Sequence, residues 1–211
     1  MNLANQKILV TGGACYIGSH VVRQLSEAGH QVVVFDNLST GFADALIHGE
    51  DLIIGDLSDV RAIEAVFERH QCKTIVHFAA SIVAPESVGN PLKYYQNNTC
   101  NTLNLLAACV RFGAERFVFS STAAVYGMPE NGIAGEDSPT RPINPYGSSK
   151  LMIEQVLRDV AHAHGLRYVA LRYFNVAGAD PLGRIGERHS PETHLIPLIL
   201  KAAKGEREAI R

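Results

Sequence analysis

Six short runs of Val, Ile, Leu and Phe, separated mostly by longer stretches of helical period, constrain this chain more than any other feature. They are KILVT (7–11), QVVVFD (31–36), DLIIGD (51–56), TIVHFA (74–79), RFVFSS (116–121) and RYVALRYF (167–174). Runs this short and apolar suit strands covered on both faces, so the pattern predicts a parallel sheet flanked by helices. The helical stretches have readable ends. YIGSHVVRQLSEAG closes at Gly29, which takes a positive φ at a C-terminal cap without penalty. SDVRAIEAVFERH opens at Ser58, and PLKYYQNNTCNTLNLLAACVRFG is one long helix opening at Pro91. PYGSSKLMIEQVLRDVAHAHG runs from Pro145 to Gly165, with Leu151, Val156, Leu157 and Val160 able to face the sheet. MPENGIAGEDSPTRPIN reads as a surface loop before it. This order of elements predicts an α/β, doubly wound parallel sheet.

The first strand leads into TGGACYIGSH, residues 11–20, a glycine-rich turn followed by a helix. Gly12 permits a tight exit from the strand, and Gly18 lets the helix lie close to the sheet. The N–H groups opening the helix then face a pyrophosphate. Asp36 ends the second strand 18 positions after Gly18, where a carboxylate accepts ribose hydroxyls and repels a 2′-phosphate. That favours NAD over NADP; an ordinary turn formed with Asn37 is the other reading. Asp56, ending the third run, is placed to meet the adenine edge or to cap a helix within DLSD.

Tyr146 and Lys150 are four apart on a predicted helix and so share a face. A phenol with a pKa of about 10 is a poor base at neutral pH, and a nearby ammonium or cationic nicotinamide favours its phenolate. Tyr146 is then a candidate proton acceptor and Lys150 its activator. Thr122 follows the fifth strand on the sheet edge where ligands bind in such folds, and its hydroxyl is a candidate bridge to substrate. A satisfied loop hydroxyl is the alternative.

Bulk properties exclude other classes. With 19 basic and 21 acidic residues, unclustered, no nucleic-acid partner is expected. No segment approaches the roughly 20 apolar residues that cross a bilayer, and the N-terminus lacks a leader pattern, so no membrane partner and a cytoplasmic location are expected. Cys15, Cys72, Cys100 and Cys109 show no CxxC spacing and the nine histidines no HExxH, so no metal is expected.

These residues in this order resemble the extended short-chain dehydrogenase/reductase family, and most closely its UDP-glucose (UDP-galactose) 4-epimerase branch. The matching stretches are TGGACYIGSH, DNLSTG, GDL, HFAA, PESVGNPLKYYQNN, SSTAAVYG, NPYGSSK and LRYFNVAGADP. The resemblance implies NAD-dependent 4-epimerisation of a UDP-hexose through a transient 4-keto sugar nucleotide, Tyr146 taking the proton of the 4-hydroxyl. It also implies a homodimer formed through helices 91–113 and 145–164. By matching position, Gly12, Tyr16, Ile17, Gly18, Asp36, Asn37, Asp56, Leu57, Phe78, Ala79, Ala80, Asn97, Ser120, Tyr146, Lys150 and Tyr173 would line the NAD site. Thr122, Tyr146, Asn175, His194 and Leu195 would meet the UDP-sugar, His194 and Leu195 near the uracil. Relatives that eliminate water carry acidic residues directly after the Thr; here Ala123 and Ala124 stand there, which disfavours elimination. An epimerase of UDP-glucuronate or a UDP-N-acetylhexosamine, and a non-catalytic nucleotide-binding fragment, are the alternative readings.

Three features depart from the family pattern. Cys15 replaces a glycine of the turn; its side chain is expected to crowd the pyrophosphate, and at positive φ it would add roughly 1 kcal/mol of strain. Ile82 stands where some relatives carry a Lys. The third is length: residues 1–175 are expected to form a Rossmann-type NAD-binding domain and 176–211 the beginning of a small C-terminal substrate domain that the chain carries only in part, since NVAGADPLGRIGERHSPETH is a long loop and LIPLILKAAKG a short helix.

Overall fold

The computed structural model describes residues 7–129, 131–189 and 192–209. The other positions of the expected ranges, including Glu130 of the surface loop, lie outside the described residues. All six expected strands form: β1 (Lys7–Thr11), β2 (Gln31–Asp36), β3 (Asp51–Ile54), β4 (Thr74–His77), β5 (Arg116–Ser120) and β6 (Arg167–Leu171). The helices are α1 (Tyr16–Glu27), α2 (Val60–His70), α3 (Ala84–Gly89), α4 (Pro91–Tyr94), α5 (Asn101–Arg111), α6 (Pro145–His164) and α7 (Leu195–Ala203). Strands pair in the order β3-β2-β1-β4-β5-β6, every neighbour parallel. The order reverses between β1 and β4, which opens a crevice at the carboxyl ends of those strands.

Side-chain alternation sorts the core onto two faces. Leu9, Val33, Phe35, Ile75, Phe117 and Phe119 point to one side, where Ile63 and Phe67 of α2, Leu105 of α5, and Ile153 and Leu157 of α6 cover them. Ile8, Val10, Val32, Val34 and Val76 point to the other, against Val22 of α1. β1 is thus buried on both faces. β6 is covered on one face only, leaving Val169 and Leu171 exposed.

Several strands end before their apolar runs do, because the next residues leave the ladder to build turns at the carboxyl edge. Phe78 and Ala79 both donate backbone N–H groups to the Thr11 carbonyl, at 2.8 and 3.1 Å. Asp56 accepts from the Ser58 N–H at 2.8 Å. That contact bears on a correction: Asp59, not Ser58, caps α2, its carboxylate accepting from the Ala62 N–H at 3.0 Å. At the other end of that helix Gln71 takes the left-handed conformation. The cap glycines are as expected, Gly29 and Gly165 having φ of +83° and +71°.

Two further helical expectations are corrected. The long helix from Pro91 is interrupted by a π segment, Tyr95–Cys100, between α4 and α5. Adjacent residues of a regular helix do not share a face, and the wider turn lets Asn97 and Asn98 both reach Ser81. On α6, Ile153 and Leu157 form the buried stripe, whereas Leu151 is half-buried beside Tyr126 and Arg172. Leu151 is six positions from Leu157, about a third of a turn off that stripe. Among the described residues no helix is long and apolar enough to cross a membrane.

Candidate active site

The glycine turn is built by close backbone approach. Gly12 has φ +71°, and a Cβ there would fall 2.5 Å from the Ala79 nitrogen; one at Gly18 would fall 2.1 Å from the Gly12 carbonyl oxygen. Only glycine fits either place. The opening of α1 has no side-chain cap and no acidic residue in its first turn, so its N–H groups and positive dipole end are available to an anion. Cys15 sits at that N-cap with φ −84° and ψ 177°. This is ordinary extended backbone, so the strain expected at positive φ is absent. Its Sγ lies 3.8 Å from the Thr40 hydroxyl.

Asp36 forms the local turn with Asn37 and also reaches back to the glycine turn. One carboxylate oxygen accepts from the Ala14 N–H at 2.9 Å, tying β2 to the glycine turn, and the other accepts from the Leu38 N–H at 2.8 Å in a local turn. Each oxygen has a further lone pair for a ligand hydroxyl. Next to it Asn37 donates to Asp56 at 2.7 Å, and the bonds from Ser58, with this one adding less, hold the Asp56 carboxyl below the usual range. Leu57 is buried, its carbonyl bonded to Asn104. Asp36, Asn37, Asp56 and Leu57 therefore form one patch at the ends of β2 and β3. Phe78, Ala79 and Ala80 lie beside Gly12 at the end of β4, with Asn97 joined to Ser81 just beyond.

Across the crevice, β5 and α6 assemble the second group. Tyr146 is at the start of α6, where the Thr122 side chain favours its phenolate. Lys150, one turn on, is buried and donates to the Ser120 carbonyl at 2.8 Å, with its ammonium 5.0 Å from the centroid of Phe119. Ser120 also makes a short hydrogen bond to the Tyr173 hydroxyl. Burial pushes Lys150 down to about 7. It pushes the Tyr146 phenol up, and only the Thr122 side chain opposes this. Desolvation is thus the larger of the two effects on the Tyr146 phenol.

Other expected residues lie apart from this group. Tyr16 opens α1 and donates to the Gly178 carbonyl at 2.6 Å, while Ile17 is half-buried beside it. Asn175 is exposed on the segment after β6. His194 and Leu195 stand where α7 begins; the side-chain partners of His194 are Glu192 and Glu187, and Leu195 is exposed.

Some supporting residues escaped sequence reading. Tyr94 is buried with its ring edge-on to Tyr146 at 6.4 Å, and the Ser87 hydroxyl accepts from the Tyr146 N–H. Glu154 accepts from Arg172 at 2.5–3.1 Å and from Ser121, which anchors the backbone on either side of Thr122, while the Ala123 N–H donates to the Tyr173 carbonyl. A usable signal existed for Glu154, four positions after Lys150 on the same helical face.

A sheet of order 3-2-1-4-5-6 with a glycine cradle at its switch point and an acidic residue ending β2 defines a dinucleotide-binding domain of Rossmann type. Residues 8–211 match the model of the NAD dependent epimerase/dehydratase family, and the chain belongs to that family. It is 54% identical to a UDP-glucose 4-epimerase of Azospirillum brasilense over 204 residues, 97% of this chain and 59% of that protein. Among solved structures, a UDP-glucose 4-epimerase from Brucella ovis in complex with NAD superposes with a TM-score of 0.94 at 46% identity, covering 97% of this chain and 63% of the other. The UDP-Glc/GlcNAc 4-epimerase of Campylobacter jejuni superposes with a TM-score of 0.84 at 48% identity, covering 96% and 63%. The chain thus spans about 60% of the length of the curated relatives it matches.

Proposed function

We propose that this chain carries the cofactor-binding and proton-transfer portion of an NAD-dependent UDP-hexose 4-epimerase. The observation that carries the reading is Tyr146 at the start of α6, one turn from buried Lys150 and beside Thr122, across the crevice from a glycine cradle that a Cβ would fill. The residues fit the cofactor. Gly12, Gly18 and the opening of α1 would hold the pyrophosphate, Asp36 and Asn37 the adenosine ribose, and Asp56 and Leu57 the adenine. Tyr16, Ile17, Phe78, Ala79, Ala80, Asn97, Ser120 and Tyr173 would line the remainder. When bound, NAD supplies the hydride acceptor for C4 of the sugar.

The chain's own residues would manage the proton. The Tyr146 oxygen accepts it from the sugar 4-hydroxyl and later returns it, while Thr122 holds that hydroxyl and Tyr146 together. Lys150 places positive charge in the pocket wall, and the Thr122 side chain favours the phenolate that burial opposes. Ala123 and Ala124 leave no acid or base for elimination, which supports epimerisation over dehydration. Asn175, the last residue of an NAD-binding domain of residues 1–175, would bind the nucleotide together with His194 and Leu195 of residues 176–211, the start of a substrate-binding domain.

UDP-galactose added to the chain with NAD is expected to yield UDP-glucose, with reduced nicotinamide absorbance appearing when UDP-sugar binds. Tyr146→Phe should lower turnover at least about 100-fold. Failure of the unsubstituted protein to bind NAD, or full activity in Tyr146→Phe, would refute the reading. Similarity to the Campylobacter enzyme favours testing UDP-N-acetylglucosamine alongside. A homodimer and a cytoplasmic location complete the proposal. Exposed Leu92 and Leu103, with Met152 on α6, support a helical interface, and four free thiols suit a reducing compartment. Sedimentation tests the first and fractionation of the source cells the second.

A further inference from the structure

Four side chains of the segment leading into α7 converge on one point. Glu187, His189, Glu192 and His194 each bring a ligand atom within 4.8 Å of the other three. Nδ1 of His194 lies 2.9 Å from Glu192 and 3.1 Å from Glu187, and Nδ1 of His189 lies 3.4 Å from Glu187 and 3.7 Å from Glu192. The cluster opens to solvent on the His194 side only: the side chains of Glu187 and His189 are 11% exposed and that of Glu192 is 5%, against 35% for His194.

Hydrogen bonding leaves this arrangement unexplained. Nδ1 of His189 is sealed from solvent and has no hydrogen-bond partner, although it faces two carboxylates. The two imidazoles lie with centroids 4.5 Å apart, and Nδ1 of each faces both carboxylates. One divalent cation at the centre would meet both carboxylates and both ring nitrogens.

The spacing supports a particular ion. Zinc bonds of about 2.0–2.1 Å to nitrogen and oxygen in a tetrahedron separate ligand atoms by about 3.3–3.4 Å. The four His-to-Glu distances, 2.9 to 3.7 Å, bracket that value. Two imidazoles with two carboxylates suit Zn²⁺, whereas Mg²⁺ and Ca²⁺ take all-oxygen sites. We propose that Glu187, His189, Glu192 and His194 bind one Zn²⁺ that pins the start of α7 to the preceding segment. The location makes such a clip consequential. His189 meets the Tyr16 ring edge-on at 6.4 Å, Tyr16 bonds Gly178, and Arg188 pairs with Asp44. The ion would therefore fix residues 187–189 and 192–195 against the helix that opens at the glycine turn. It would use the His194 ring and leave its main chain and Leu195 for a nucleotide.

The test does not depend on the proposed activity. Chelator-treated protein is titrated with Zn²⁺ by calorimetry, and one equivalent is expected to bind; Co²⁺ in its place should give the visible absorption of a four-coordinate site. Losing a group that merely orients a ligand weakens metal binding about 10- to 100-fold, so His189→Ala, Glu187→Gln and Glu192→Gln should weaken it at least as much. The near-isosteric Glu→Gln variants, checked by far-ultraviolet circular dichroism, separate ligand loss from unfolding. Cys15→Ser with Cys100→Ser, the two thiols that are not buried, should leave binding unchanged. Absence of stoichiometric binding in the unsubstituted protein overturns the proposal. So does binding that survives all three cluster substitutions, or that the cysteine substitutions abolish.

Discussion

Lys150→Met provides a direct test of the site's electrostatics. Lys150 is 2% exposed, and burial lowers its pKa from 10.5 to about 7. Between those values the folded protein binds fewer protons at this residue than the unfolded chain, so stability rises with pH across the window and the penalty is fullest below pH 7. With these pKa values the residue opposes folding by about 4 kcal/mol at pH 7 and about 2 kcal/mol at pH 9. Methionine removes that penalty but leaves the Ser120 carbonyl without its 2.8 Å donor, at a cost of about 1–3 kcal/mol. The variant should therefore be more stable at pH 7 by about 1–3 kcal/mol, with the advantage falling by about 2 kcal/mol at pH 9. Urea unfolding followed by circular dichroism at pH 7, 8 and 9 measures both. Other titrating groups are common to the two proteins and cancel in the difference. A gap that does not change with pH would show that Lys150 keeps its charge in the folded state, and the electrostatic argument would fail.

Three further outcomes follow from the same structure. Gly18→Ala puts a Cβ against the Gly12 carbonyl and should reduce stability by at least about 2 kcal/mol and abolish NAD binding; a variant of unchanged melting temperature would contradict the close approach. Cys15→Gly should reduce stability by about 0.5–1 kcal/mol, because the native φ is negative and glycine only frees the unfolded chain; a rise in melting temperature would reveal strain. In the same variant NAD should bind more tightly if the side chain crowds the pyrophosphate, and equal affinities by titration would dismiss the crowding. Arg172→Met leaves Glu154 buried without its cation and should cost about 3–5 kcal/mol in denaturant unfolding, whereas a loss under 1 kcal/mol would mean that Glu154 reaches water.

By itself the sequence determined what depends on neighbours a few residues away. The short continuous apolar run of QVVVFD and the terminators Pro145, Gly29 and Gly165 specify a strand and helix ends from local sequence. Spacing also placed Tyr146 and Lys150 on one face. The tertiary structure decided what depends on packing between distant segments. Asp36 turned out to tie a turn 22 positions away, Ile153 displaced Leu151 from the sheet-facing stripe, and the π segment aligned two adjacent asparagines on Ser81. His77, merely one histidine of HFAA in the sequence, sits wholly buried between the hydroxyls of Thr11 and Thr102, with burial holding its pKa near 3. Burial likewise raises the Tyr146 phenol. Desolvation is set by every chain segment that excludes water from a group, and no local pattern contains that sum.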